Sequence, residues 1–361
     1  MDDSHRDRAS GGGPPPAPSE HRDGRARALV DLPKAHLHLH LDGAVREQSL
    51  RALCARRGLA PPKLPRGLGY SSFDVFMETI GAVHEVLSDP ADLRRIVGEI
   101  VADAALDGAV WVEVSVWPGL FAGRLGPDRE AVRRVLEAGR DAAALRGVGF
   151  GLMVAANRHA GAEAAVDTAR LAVELMPEGV VSFGLDGDEA AFPPSAFADA
   201  FTLAKRGGLR AAPHAGELLG PGSVTDALDL LHADRILHGV RAVEDPDLLA
   251  RLAASGVCLD VCPTSNVKLG VCDLAAHPLP DLLAAGVRCS VNADDPLLFG
   301  SGLLQEYELC RTHLGLPDRV LAEIAATSVQ ASALPDEAKA TAAAGIAGWL
   351  SDASPPRPCP R

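Results

Sequence analysis

The chain has 361 residues, 47% of them hydrophobic, and a formal net charge of −13. That is enough apolar material for a sizeable core, and barrels of about 250 residues or more fold as single domains. No basic face offsets the acidity, so nucleic acid is not an expected partner, and the charge reads as ordinary solubility.

Residues 1–27 open the chain as a tail. They carry Gly11-Gly12-Gly13-Pro14-Pro15-Pro16 and almost no large apolar side chains, so burial cannot offset the entropy of ordering them. Residues 353–361 read the same way, which leaves residues 28–352 as one domain. Within it, short apolar strands alternate with amphipathic helical stretches. Strands are expected at Ala35–Leu41, Ala109–Val116, Gly149–Ala155, Val180–Leu185, Arg210–His214, Arg235–His238, Val257–Val261 and Arg288–Asn292. Helical stretches include Ala91–Leu106, Arg129–Leu145, Ala162–Leu175 and Asp245–Ala254. This α/β pattern predicts a (β/α)8 TIM barrel. An open doubly wound sheet competes, but it usually has a glycine-rich first turn, and the turn here is Leu41-Asp42-Gly43-Ala44. The stretch 43–90 is too long for one helix and predicts extra helices capping one barrel end. Further helices are expected over 303–350.

Seven cysteines are scattered without a CxxC pair, which suits buried thiols in a reducing compartment. No signal-like apolar segment and no run of about 18 apolar residues occurs, so a cytoplasmic location without a membrane partner is expected.

The first strand ends His36-Leu37-His38-Leu39-His40-Leu41-Asp42-Gly43. Side chains of a strand alternate, so the three histidines should share one face, with the leucines toward the helix layer. Imidazoles gathered in an interior are costly unless something uses their nitrogens, and a metal does. His38 and His40, nearest the C-terminal end, are the candidate ligands, because barrel active sites lie at that face. The same rim receives His214 in Pro213-His214-Ala215-Gly216-Glu217, His238 in Leu237-His238-Gly239, and Asp294 in Asn292-Ala293-Asp294-Asp295-Pro296. A carboxylate-bridged metal pair would typically need a lysine after the fourth strand. That position reads Gly184-Leu185-Asp186-Gly187-Asp188-Glu189, which favours one metal per chain. Three histidines and one aspartate favour zinc, which would make hydroxide available near neutral pH.

The set HLHLDG, HAGE, HG and DDP, with Gly187-Asp188-Glu189 and Cys262-Pro263-Thr264-Ser265-Asn266, resembles the adenosine deaminase family of the amidohydrolase superfamily. The resemblance runs from about Leu32 to Leu350. It implies that His38, His40, His214 and Asp294 bind zinc, with His40 also on the substrate side. It implies that Glu217 donates a proton to the purine N1. It implies that His238 orients the attacking water, helps deprotonate it and stabilises the developing charge. Asp295 would hydrogen-bond N7, the Gly187 backbone would meet N3, and Asp42 would contact the ribose 5′-hydroxyl.

Three departures bear on substrate choice. His36 stands where the family usually has glutamate, as an altered support for the site or a spectator. Trp117 stands at the second strand's rim, where it either reshapes the pocket or packs on the helix layer. Gly184 and Asp186 replace the usual neighbours of the family's glycine. The expected activity is zinc-dependent deamination of adenosine or deoxyadenosine to the inosine product and ammonia. Alternatives are a 5′-modified adenosine such as aminodeoxyfutalosine, free adenine, or a noncatalytic binding protein of the same family. The partner is a small purine nucleoside, and the sequence leaves the oligomeric state open.

Overall fold

The computed structural model describes residues 27–65, 69–121 and 123–351. The expected tails fall outside this range except Arg27. Its guanidinium is held by Asp318 Oδ2 at 3.2 Å and the Leu350 carbonyl at 2.9 Å.

Eight strands form one sheet in sequential order. They are β1 Lys34–His36, β2 Ala109–Val116, β3 Gly149–Asn157, β4 Val180–Asp186, β5 Arg210–Ala215, β6 Arg235–His238, β7 Cys258–Val261 and β8 Arg288–Val291. Every neighbouring pair is parallel. Strands covered by helices on the outside and by one another on the inside need continuous apolar runs, and β2, β3 and β4 are apolar and buried along most of their length. The ring is closed beyond the strand ends by the isolated Leu39–Asp294 bridge. His40 N donates to the Asp294 carbonyl at 3.0 Å, and Asp294 N to the His38 carbonyl at 3.1 Å. The result is a nearly closed (β/α)8 TIM barrel.

β1 departs from the expected Ala35–Leu41. Its ladder stops at His36 because the next two main-chain donors, Leu37 N and His38 N, are taken by the Asn292 side-chain oxygen at 2.7 and 3.2 Å. Alternation therefore resets between His36 and His38. His36 lies with Leu39, Ile100 and Leu303 around a cavity under the helix layer, while His38 and His40 face the barrel mouth. The expectation that all three histidines share a face is corrected for His36. Its Nε2 accepts from Ala293 N at 3.2 Å, and burial lowers its pKa to about 3, so it is a neutral support for the β8 loop.

Helices Glu47–Arg57 and Phe73–His84 fill the long segment after β1, and Leu303–Thr312, Asp318–Ala331 and Asp336–Leu350 follow β8. Helix Phe73–His84 crosses the mouth. Phe76 stacks on Phe299 with centroids 5.6 Å apart, and Tyr70 meets Phe76 edge-on at 5.3 Å, which ties this cover to the loop after β8. Helix Pro90–Leu106 starts where Asp89 accepts from Ala91 N and Asp92 N, with proline at the first turn.

Beneath the mouth the barrel is plugged by buried polar groups. Arg235 from β6 pairs with Glu113 of β2 and, at 3.0 Å, with Asp260 of β7. Ser182 donates to Glu113, Ser290 to Asp260, and Asn292 Nδ2 to Ser290 Oγ, each at 2.7 Å. The chain of contacts ends on the backbone of His38, so the plug sets the height of the mouth residues. Removing one member of such a buried group strands the others without partners. Arg235→Ala is expected to lower the free energy of unfolding by about 3–5 kcal/mol, measured by urea denaturation. A loss below about 1 kcal/mol would contradict the plug.

Candidate active site

The C-terminal ends of β1, β5, β6 and β8 bring His38, His40, His214, His238 and Asp294 together. His38 Nε2 is 3.2 Å and His40 Nε2 3.3 Å from Asp294 Oδ1. The His214 ring centroid lies 4.9 Å from that of His38 and 5.3 Å from that of His40. His38, His214, His238 and Asp294 each offer an atom within 4.8 Å of the others. His238 and Asp294 have φ of 63° and 60°, a region costly for residues other than glycine, and such strain gathers at functional sites.

The donor set has the character of a metal site. His38 Nδ1 points at the Asp260 carbonyl at 3.2 Å, and His214 Nδ1 at the Leu185 carbonyl at 2.9 Å. A carbonyl only accepts, so both Nδ1 atoms carry the proton and both Nε2 atoms present lone pairs inward. Asp294 holds Ser265 Oγ on Oδ2 at 2.7 Å and turns Oδ1 toward the same lone pairs. His38 Nε2 is buried with no hydrogen-bond partner. Acceptors in such contact repel unless a cation joins them. Tetrahedral ligands about 2.0 Å from zinc would sit roughly 3.3 Å apart, which matches the separations found. The His/Asp cluster is compatible with a metal site.

Around this cluster stand groups with shifted protonation. Burial raises the Glu217 pKa well above its ordinary value, helped by the charges of Asp294 and Glu189. Burial and the Asp294 charge likewise raise Asp295 well above the usual carboxylate range. Burial, with His38 beside it, pushes His238 well below the ordinary histidine value. Burial also lowers His214, whereas the charges of Asp186 and Asp295 raise His40 against its burial. The site thus holds two carboxyls inclined to keep their protons, two imidazoles, His214 and His238, inclined to stay neutral, and one, His40, inclined to take a proton. Gly43 is obligatory here, since a Cβ on it would meet Asp295 Oδ1 at 1.7 Å.

These residues open into a cleft that also takes in Asp42, Gly187 and Asp186. Phe73, Phe76, Met77, Ile80 and His84 of the covering helix line its upper wall, with Trp117 and Leu120. Trp117 lines the cleft and also packs on the core, so both readings of it hold. Asp42 approaches His84 Nε2 at 2.5 Å, which joins the helix to the end of β1.

Several residues had no assigned role in the sequence. Glu189 gathers Gly216 N at 2.6 Å, Glu217 N at 3.1 Å, Leu218 N at 2.8 Å and Leu219 N at 3.0 Å, together with Ser223 Oγ. It shapes the loop that carries Glu217. Its only signal was its place in Gly187-Asp188-Glu189. Asp186, one position before that motif, lies 3.2 Å from His214 Nδ1 and 3.7 Å from His40 Nδ1. Asp260, His84 and His277 gave no local signal.

The family model for adenosine deaminase matches residues 33–349. A putative adenosine/adenine deaminase of Streptomyces virginiae is 44% identical over 336 residues, covering 90% of this chain and 99% of that one. The structure of an adenine deaminase from Arthrobacter aurescens superposes with a TM-score of 0.82 at 31% identity, over 90% of this chain and 100% of the other. An amidohydrolase from Burkholderia ambifaria with bound Zn superposes with a TM-score of 0.79 at 28% identity, over 92% and 94%.

The Glu189 cluster makes a local prediction. In Glu189→Gln one oxygen becomes a donor facing donors, which leaves main-chain N–H groups unpaired at a cost of about 2 kcal/mol, or roughly 30-fold in local opening. Amide hydrogen exchange at Gly216–Leu219 should accelerate by about that factor while the rest of the barrel keeps its protection. Unchanged exchange in this loop would refute the role given to Glu189.

Proposed function

The chain belongs to the adenosine deaminase family, and from that premise we propose that it removes the 6-amino group of a purine nucleoside hydrolytically, with one zinc ion per chain. The observation that carries this reading is a buried, proton-retaining Glu217 beside the cluster of His38, His40, His214 and Asp294. Those four residues would hold the ion. When bound, zinc lowers the pKa of water enough to supply hydroxide near neutral pH. Its nitrogen-rich donor set and the Zn-bound neighbour support that choice of metal.

The chain's own groups then divide the work. C6 of the purine is a poor electrophile until N1 is protonated, and a carboxylic acid kept neutral by desolvation can deliver that proton. Glu217 is such an acid. Asp295 is inclined to keep its proton, so its O–H can donate to the N7 lone pair. Gly187, at φ 102°, would offer its backbone N–H to N3. His238 Nε2, 3.4 Å from Glu217 Oε1 and 3.7 Å from Asp294 Oδ2, faces the space where the water and the developing charge would lie. The apolar wall of helix Phe73–His84 excludes bulk water, which strengthens each of these interactions.

Asp42 supports a sugar-bearing substrate, as acceptor of the 5′-hydroxyl. A second reading, free adenine, is favoured by two observations. The Asp42 carboxylate is engaged by His84, and the similar structure from Arthrobacter aurescens is named an adenine deaminase. An ammonia-release screen over adenosine, deoxyadenosine, adenine and 5′-extended adenosines such as aminodeoxyfutalosine decides between them. Release from adenosine or deoxyadenosine supports the proposal, turnover of adenine alone replaces it with the second reading, and no release from any of them rejects both.

Glu217→Gln should retain the metal and lose roughly 10²–10⁴-fold in kcat. The wild-type kcat/KM should fall as pH rises through the raised Glu217 pKa, because only the protonated acid is competent. The variant should lack that limb. Near-normal turnover of Glu217→Gln would refute the assignment.

A further inference from the structure

Behind His238 runs a line of buried groups that none of the roles above uses. It starts at a main-chain donor. Leu279 N donates to His277 Nδ1 at 3.1 Å. A backbone N–H has no choice of direction, so His277 Nδ1 carries a lone pair. The His277 ring is buried, which lowers its pKa to about 4, so the ring is neutral and its one proton sits on Nε2. His277 Nε2 lies 3.3 Å from Asn266 Oδ1 and donates to it. That contact sets the Asn266 amide, whose NH2 group must face the other way. Asn266 Nδ2 is 3.1 Å from His238 Nδ1 and donates to it. His238 Nδ1 is therefore an acceptor, and the ring proton of His238 is on Nε2, the atom turned into the cleft. His277, Asn266 and His238 are 4%, 0% and 1% exposed, so water does not offer them alternative partners.

We propose that the relay from Leu279 N–H through His277 and Asn266 fixes His238 in the Nε2–H tautomer. His238 then meets the reacting atoms as a hydrogen-bond donor. This rests on the deaminase reading for its catalytic meaning, and it sharpens the expectation that His238 both orients and deprotonates the water. A donor at Nε2 can hold a lone pair of the water and stabilise negative charge on the oxygen as C6 becomes tetrahedral. It cannot accept a proton there while the relay stands. Asn266 and His277 are positioning residues, acting only through His238. The direction of the relay matters, since a histidine held in the wrong tautomer costs about 10⁴-fold in kcat in a hydrolytic triad.

Asn266→Asp separates the two roles of His238. A carboxylate at this position accepts on both oxygens, so it takes the His277 Nε2–H and draws the His238 proton onto Nδ1. Nε2 is then a bare lone pair, poised as a base. If His238 works as a donor, kcat for the best 6-aminopurine substrate should drop by roughly 10²–10⁴-fold with metal content retained. If it works as a base, the variant should match or exceed the wild type, and that result would overturn the proposal. The ¹⁵N shifts of labelled histidine rings report the tautomer directly, without turnover. Wild-type His238 is expected to be protonated at Nε2 and bare at Nδ1, and the opposite pattern also overturns it. Should Asn266→Asp fail to fold, His277→Ala serves instead. It frees the amide to rotate, and should give mixed His238 tautomers and about a tenfold loss in kcat, with His277→Gln, which keeps an N–H toward Asn266, restoring both. A single unchanged tautomer in His277→Ala would count against the relay. A wild-type chain that releases no ammonia would reject the deaminase reading, while the ring shifts would still test the relay.

Discussion

Imidazole nitrogens of His38, His40 and His214 and a carboxylate oxygen of Asp294 meet at the mouth of this barrel, and much of the structure is organised to keep them there. His38 and His214 have spent their N–H bonds on the Asp260 and Leu185 carbonyls. Asp294 is held by Ser265 in a left-handed conformation. Left alone, such a cluster would repel itself apart or take up protons. The parallel sheet, the Asn292 oxygen that interrupts β1 and the Arg235 plug below hold it in place. The cost of that arrangement is intelligible if a cation completes it, and the pKa directions of Glu217 and Asp295 follow from the same crowding of negative charge in a dry site.

Much of this was legible in the sequence, and the reasons are local ones. Strands buried on both faces write themselves as apolar runs, so β2 and β6 fell at the expected residues and β3 and β4 differed only at their ends. His38 and His40 were legible because two-residue alternation survives between them. His36 misled because alternation fails where a side chain from just after β8 enters the ladder, and Asn292 lies more than 250 positions away in sequence. Glu189 and His277 were unreadable for a related cause. Each acts through partners outside its own element, and nothing in their flanking residues names those partners. His277 in particular is a lone histidine beside a proline, the pattern of an ordinary turn.

The cleft has two parts that are built differently. The reaction centre is built on strand ends and tight loops, where buried polar contacts fix each atom. The outer wall belongs to helix Phe73–His84, tied to the barrel through Phe76 on Phe299 and through His84 on Asp42. A wall held by a few aromatic contacts and one side-chain hydrogen bond can vary among relatives without disturbing the cluster beneath it.

The central claim is that the lone pairs at the mouth are joined by a cation. The most direct measurement is elemental analysis of the purified chain beside its Asp294→Ala variant. The account predicts about one equivalent of divalent metal, zinc foremost, in the wild type and a large loss in the variant. A wild type that folds and works without metal, or a variant that keeps a full equivalent, would contradict it.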